Sequence, residues 1–289
     1  MPEILTDRDW EILVSRISEG KCTPFIGAGA CYDILPLGKD IANEWAKNHG
    51  YPLEDVDDLG SVAQYMAITH DPLFPKEEMS RLLRKVSPSG FSSIEESHGF
   101  IASLPLPVYI TTNYDDFLYK ALRSKGKEPK RVVCQWNSYL KNGNEYLLNP
   151  DFKGTKDRPI IFHLHGLNEL PESMVLTEDD YVDFLVNVSN NKMEIIPHQI
   201  RRALTGSSLL FIGYSLRDWS FRVVFRGLVS KMEASMRRIN VAVQLPKTEK
   251  AKNEYLESYF SNMKIKVFWG PADEFMTQLK DKMDEYNKR

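Results

Sequence analysis

The shortages in this chain are the first guide to it. Only three cysteines occur among 289 residues, Cys22, Cys31 and Cys134, and no two of them form a C-x-x-C pair. So few thiols cannot build a disulfide framework or a four-cysteine zinc site, and the cytoplasm is the expected compartment. No apolar run approaches the ~20 residues of a membrane span. The opening MPEILTDRDWEILVSRISEG alternates charge with apolar positions, unlike the unbroken apolar core of a signal peptide. Neither sign of charge is in excess, since 37 Lys+Arg against 40 Asp+Glu give a net charge of −3. Nothing global therefore draws the chain to nucleic acid, and no direct nucleic-acid or membrane binding is expected. Repeats and low-complexity tracts are also missing. What remains is an ordinary globular composition, 42% hydrophobic and 27% charged, with length enough to bury a sizeable core.

Short apolar runs bounded by Gly, Pro or polar turns recur along the chain: Thr23–Ile26, Val108–Thr111, Arg131–Cys134, Ile160–Leu164, Leu209–Ile212, Asn240–Gln244 and Ile265–Phe268. They read as buried strands. Between them, Asp116–Ser124, Ser215–Met232, Glu249–Phe260 and Asp273–Tyr286 have helical spacing. This alternation predicts an α/β fold, a doubly wound (Rossmann-like), mainly parallel sheet of about six or seven strands. The first crossover is too long for one helix, because about eighty residues separate the strands near Phe25 and Tyr109. Gly38–Asn48, Asp58–Thr69, Pro75–Val86 and Ser92–Ala102 all carry helical patterns there. We therefore expect a single domain over 1–289, with a helical insertion at about 50–103 that forms a lid or partner surface. A second, polar insertion at about 135–158 reads as a loop at the sheet's C-terminal edge, and the charged last fifteen residues read as a solvated helix.

Four strand ends concentrate polar groups, and in a doubly wound sheet the C-terminal ends of strands hold ligands. In Pro24-Phe25-Ile26-Gly27-Ala28-Gly29-Ala30 a strand runs into two glycines, which allow a tight turn and close approach to a diphosphate or serve only as a structural turn. Thr111-Thr112-Asn113-Tyr114-Asp115-Asp116 sets polar side chains in succession, more than capping of the next helix requires. In Ile160-Ile161-Phe162-His163-Leu164-His165-Gly166, strand alternation puts both histidines on one face. A metal would need a third ligand that no spacing supplies, so a packed core histidine and a catalytic base are the competing roles, with His165 nearer the strand's end. Gly213-Tyr214-Ser215 is placed to receive a phosphate or ribose, with Ser215 equally able to cap a helix. Trp269 either stacks on a base or edges the core, and Arg217–Arg226 reads as a packing helix.

In that order, Gly-Ala-Gly, Thr-Thr-Asn-Tyr-Asp, His-Gly and Gly-Tyr-Ser resemble the sirtuin-like superfamily, in particular its bacterial defence-associated NAD-hydrolysing branch, over about residues 22 to 270. The resemblance implies that Gly27, Ala28, Gly29 and Ala30 form the diphosphate loop and that Leu35-Pro36-Leu37-Gly38 forms the cofactor loop. It also implies that Thr112, Asn113 and Asp115 face the nicotinamide ribose, that His165 is the catalytic histidine, and that Gly213, Tyr214 and Ser215 lie around the adenosine half. Cys31 stands where relatives usually have serine. The Asp-Phe-Arg run and paired C-x-x-C zinc module of protein-deacylating sirtuins are missing, which argues against deacylation and against zinc.

The activity implied is hydrolysis of NAD, as substrate, at the nicotinamide–ribose bond. Asn113 would hold the ribose hydroxyls or the attacking water, His165 would accept a proton, and Asp115 would orient the cluster. Two other readings remain open, a non-catalytic sensor module that binds NAD or ADP-ribose and an ADP-ribosyltransferase. The resemblance further implies antiviral defence by abortive infection, and a homo-oligomer working with a separate sensor or activator. A HerA-type hexameric ATPase comes first among such partners, and a short Argonaute second.

Overall fold

A computed structural model describes residues 5–31, 34–88, 90–91, 97–141, 145–214, 239–246 and 250–288. All seven apolar runs are strands: β1 (Cys22–Ile26), β2 (Val108–Thr111), β3 (Lys130–Val133), β4 (Ile160–His163), β5 (Ser208–Ile212), β6 (Asn240–Gln244) and β7 (Ile265–Trp269). They form one sheet in the order β3-β4-β2-β1-β5-β6-β7, and every pairing is parallel. The chain builds outward from β1 through β2, then returns to lay β5 on β1's other side. The order therefore reverses at β1, which makes the C-terminal ends of β1, β2 and β5 the natural ligand crevice. Strands β1, β2, β4 and β5 are buried along their whole length, which is why each reads as a continuous apolar run.

Helices cover both faces. On one lie α1 (Asp7–Ser18), α5 (Ser97–Ser103), α6 (Phe117–Ser124) and α10 (Ala272–Asn287), which bury Leu13, Phe100, Leu118 and Phe275 against Tyr109 and Ile161 of the sheet. On the other lie α7 (Glu178–Ile195), α8 (His198–Gly206) and α9 (Lys250–Asn262), with Phe184, Ile200 and Phe260 against Phe25 and Phe162. Each such side chain contributes about 1.5–3 kcal/mol by leaving water. The helices α1, α7 and α8 go beyond those expected from the sequence. Helix α1 starts at a capping box in which Thr6 and Asp9 bond reciprocally.

Between β1 and β2, α2 (Gly38–His49), α3 (Leu59–Thr69) and α4 (Phe74–Arg84) form their own core from Ile41, Trp45, Val62, Met66 and Met79. Met174 and Leu176, which follow β4, complete that core and join it to the rest of the fold. Of the helix expected over Ser92–Ala102, the described part is α5, with 92–96 outside the described residues, and the helix expected over Ser215–Met232, with Arg217–Arg226, also lies outside them. The segment 135–158 is less purely polar in its packing than in its composition. Trp136, Leu140 and Tyr146 are buried, and the Trp136 indole donates to the Ser173 carbonyl at 2.7 Å. Among the described residues, no helix is long and apolar enough to cross a membrane.

Candidate functional site

The glycine loop after β1 meets the end of β5 at very short range. A Cβ on Gly27 would lie 2.8 Å from the Gly213 carbonyl oxygen, and one on Gly29 would lie 3.0 Å from Gly213 Cα. Gly213 itself has φ of 76°, and its Cβ would come within 2.3 Å of the Ala30 amide. All three positions need glycine so that the two loops can touch. The amides of Gly27 and Gly29 donate to the carbonyls of Ile212 and Gly213 at 2.9 and 2.8 Å. The loop's first task is thus to hold β1 against β5, and not every amide points outward as a diphosphate cradle would ask. Ala28–Cys31 winds into a 3-10 turn, and Pro36 is exposed just before α2. Ser215 lies outside the described residues.

Strand β2 delivers the polar cluster to the same crevice. The Thr111 hydroxyl donates to the Ile26 carbonyl at 3.1 Å and accepts from the Asn113 amide at 3.0 Å. Thr112 Oγ1 and the Tyr214 hydroxyl lie 3.0 Å apart, joining the ends of β2 and β5 across β1. Asn113 Nδ2 donates to the Gly27 carbonyl and to Cys31 Sγ, both at 3.2 Å. The Cys31 thiol donates to Asp115 Oδ2 at 3.3 Å, while Asp115 Oδ1 accepts from the Phe117 amide at 3.0 Å and so caps the start of α6. His98 Nε2, on α5, stands 3.9 Å from the same sulfur. Cys31, His98 and Asp115 are all buried and bring a thiol, an imidazole and a carboxylate within 4.8 Å of one another, the donor types of a borderline divalent metal. Sequence reasoning passed over His98, which stands 17 positions before Asp115 and meets it only because α5 and β2 fold together.

The histidines of β4 do not share surroundings, because the strand ends at His163 and the alternation that predicts a common face stops there. His165 packs edge-on against Tyr181 and Phe184 of α7, with ring centroids 5.7 and 5.0 Å away. Nε2 of His165 has no hydrogen-bond partner among the described residues, whereas the His163 ring faces the Asn113 backbone. Burial pulls both imidazoles below their usual range, His165 to about 3 and His163 to about 4, with the Arg131 charge a second cause at His163. Both rings are therefore neutral at pH 7. The turn that aims His165 depends on Gly166, whose φ is 97° and whose Cβ would lie 2.3 Å from the Ser173 carbonyl oxygen.

The fold therefore brings the loop 27–31, Thr112, Asn113, Asp115, Gly213 and Tyr214 into mutual contact at the strand ends, with His165 in the turn that follows the neighbouring strand β4. Trp269 is not gathered with them. It ends the edge strand β7, packs on the core and donates its indole N–H to Glu257 Oε1 at 3.3 Å. Tyr181 and Phe184 are the residues near His165 that sequence reasoning missed, since only the packing of α7 on the sheet brings them there.

Residues 107–268 match the family described as the SIR2-like domain. The chain is 30% identical over 225 residues to a protein of Cytobacillus dafuensis named NAD(+) hydrolase ThsA, covering 75% of this chain and 41% of that protein. A protein of the same name from Enterococcus faecium is 27% identical over 223 residues, 73% of this chain and 41% of its own length. The chain thus spans about two fifths of the curated relatives it matches. A solved structure from work on the mechanism and regulation of Sir2 enzymes aligns over 98% of this chain and 100% of its own, with a TM-score of 0.39 and 11% identity.

Proposed function

The chain belongs to the SIR2-like domain family, and from that premise we propose that it hydrolyses NAD to nicotinamide and ADP-ribose. The observation that carries this reading is that Asn113, its amide nitrogen held by Gly27 and Cys31, and His165, a buried neutral imidazole, each follow the end of one of two adjacent parallel strands, β2 and β4. The name NAD(+) hydrolase borne by relatives of up to 30% identity supports it.

The reaction breaks the bond between the ribose C1 and the pyridinium nitrogen. Nicotinamide leaves as a neutral molecule with the bonding electron pair, positive charge builds on the sugar, and water adds to C1. The chief demand on the protein is positioning, together with a group to take the proton that water gives up. Asn113, whose nitrogen is already engaged by Gly27 and Cys31, offers its carbonyl oxygen to a ribose hydroxyl or to water. His165 takes the proton as a neutral base. Its aromatic cover must shift to admit water, and uncovering the ring also restores the basicity that burial removes.

We further propose that it acts in the cytoplasm in antiviral defence by abortive infection, as a homo-oligomer with a separate activator that the helical insertion would contact. The test is chromatographic product analysis after incubation with NAD, with Asn113→Ala alongside. Equal amounts of nicotinamide and ADP-ribose from wild type, and about 100-fold less from the variant, support the hydrolase. Binding of NAD without turnover, with or without activator candidates, would replace it with a sensor module. ADP-ribose attached to protein would replace it with a transferase.

A further inference from the structure

We propose that Cys31 and His98 are positioning residues that fix which end of the Asn113 amide faces substrate; the inference deepens the hydrolase reading and, for its catalytic consequence, rests on it. An asparagine amide has two ends of opposite hydrogen-bonding sense, so a buried one is useful only if its neighbours forbid the flip. Here the Gly27 carbonyl takes one N–H at 3.2 Å, and the Cys31 sulfur lies 3.2 Å from the same nitrogen. Flipping would set the amide oxygen against the Gly27 carbonyl oxygen, two acceptors with no proton between them.

The sulfur serves only if its own proton points elsewhere. Asp115 Oδ2, 3.3 Å away, takes that proton, and Asp115 is itself held by the Phe117 amide at 3.0 Å. His98 Nε2 also lies 3.9 Å from the sulfur. Asn113, Cys31, His98 and Asp115 are each at most 9% exposed, so water does not compete for these bonds. The result is a directed relay of hydrogen bonds, Asn113 to Cys31 to Asp115, reaching from the crevice to the cap of α6. His98 ties it to α5 at the end of the first crossover. A chain of this kind strengthens each member by polarising its neighbour and costs more to break than one bond does. The sequence hint is the cysteine itself, a residue that both donates and accepts weakly and is readily buried.

The experiment reads the amide directly, then the reaction. In the full chain labelled with 15N-asparagine, the Asn113→Ala spectrum identifies the Asn113 side-chain signals, and their exchange with solvent is measured in wild type, Cys31→Ala, Cys31→Ser and His98→Ala. Steady-state NAD turnover is measured on the same proteins. We expect Asn113 Nδ2 protons to exchange about 10-fold faster in Cys31→Ala, with kcat about 10- to 100-fold lower and KM nearly unchanged. Cys31→Ser, which keeps a donor and an acceptor, should recover most of both, a rescue that a merely space-filling role would not give. His98→Ala should act in the same direction, add little in the Cys31→Ala background, and stand in for Cys31→Ala if that variant does not fold. Exchange and kcat both unmoved in Cys31→Ala, or Cys31→Ser no better than Cys31→Ala, would overturn the proposal. Faster amide exchange in Cys31→Ala with no NAD turnover by wild type would uphold the positioning and defeat the hydrolase reading alone.

Discussion

Lys76 Nζ lies 2.7 Å from Asp180 Oδ1, an ion pair with side chains only 8% and 12% exposed that ties α4 to the first turn of α7. The other oxygen of Asp180 accepts from the amides of Leu176 and Thr177 at 3.1 and 2.9 Å, so one carboxylate both caps the helix and holds the cation. Beside it, Gln64 donates to Asp179 at 2.7 Å and Ser61 donates to Glu178 at 2.9 Å. On the same helix, Tyr181, next to Asp180, and Phe184, one turn on, cover His165. The first crossover is therefore joined by polar contacts to the helix that covers the candidate base.

Breaking the Lys76–Asp180 pair from one side leaves a buried charge without a partner, which costs more than the pair itself contributes. Lys76→Ala should lower unfolding stability by about 3–5 kcal/mol, read as a fall in the urea midpoint. Lys76→Met with Asp180→Asn, which removes both charges and keeps the volume, should recover most of the loss. Ser61→Ala, at the exposed rim, should cost under about 1 kcal/mol. A Lys76→Ala midpoint equal to wild type would show that the pair is solvated and holds nothing.

The junction of β1 and β5 predicts a different failure. Gly213→Ala places a methyl 2.3 Å from the Ala30 amide and 2.6 Å from the Gly27 carbonyl, at a φ of 76° that alanine resists. The two loops must separate, so NAD affinity measured by calorimetry should fall at least about 10-fold while the far edge of the sheet stays folded. Gly206→Ala meets nothing within 4 Å and is the matched control, with affinity unchanged.

The sheet was legible because its interior strands are buried on both faces, so Phe25, Ile110 and Phe211 stand in unbroken apolar runs with turn residues at their ends. Helix α1 carries an equally clear signal, with Trp10, Leu13, Val14 and Ile17 on one face behind the Thr6–Asp9 capping box. Helix α7 is harder. It buries Phe184 and Val188 but exposes Val182 and Val186, so β-branched residues fall on both sides and blur the stripe. At the candidate site, Asn113, Asp115 and the glycines declare themselves by clustering at strand ends. His98, Tyr181 and Phe184 arrive from helices distant in sequence, and no local pattern marks them. The common face assigned to His163 and His165 fails for a related reason, since alternation has meaning only while the chain remains a strand.

Buried neutral histidines make stability depend on pH in a definite direction. The unfolded chain binds a proton on each near pH 6.5, whereas folded His163 resists until about pH 4 and folded His165 until about pH 3. Above the unfolded value both states are neutral and nothing is gained or lost. As pH falls from about 6.5 toward 4, the unfolded state alone gains protons and stability drops, by roughly 1.4 kcal/mol per pH unit for each histidine. His163→Gln, neutral throughout, should flatten the fall of unfolding free energy between pH 6.5 and 4. Parallel curves for wild type and variant would mean that His163 is protonated in the fold.

The cover over His165 makes the last prediction, and here stability and catalysis part. The ring is neutral at pH 7 because burial denies it a charge, and the same burial makes it a poor proton acceptor. Tyr181, half-buried at the margin of the core, is the more exposed part of that cover, whereas Phe184 is fully buried. Tyr181→Ala should let water reach the imidazole and raise its pKa from about 3 toward the ordinary 6.5. The proton-NMR titration of the His165 ring should then move into the range between pH 5 and 7, and the acid limb of the NAD turnover profile should move with it. Turnover per enzyme near pH 8 should be retained or increased, because the exposed ring is deprotonated there and more basic. If the titration moves and the acid limb does not, His165 is a packed histidine near the site and another group takes the proton. If neither moves, Phe184 alone keeps the ring dry.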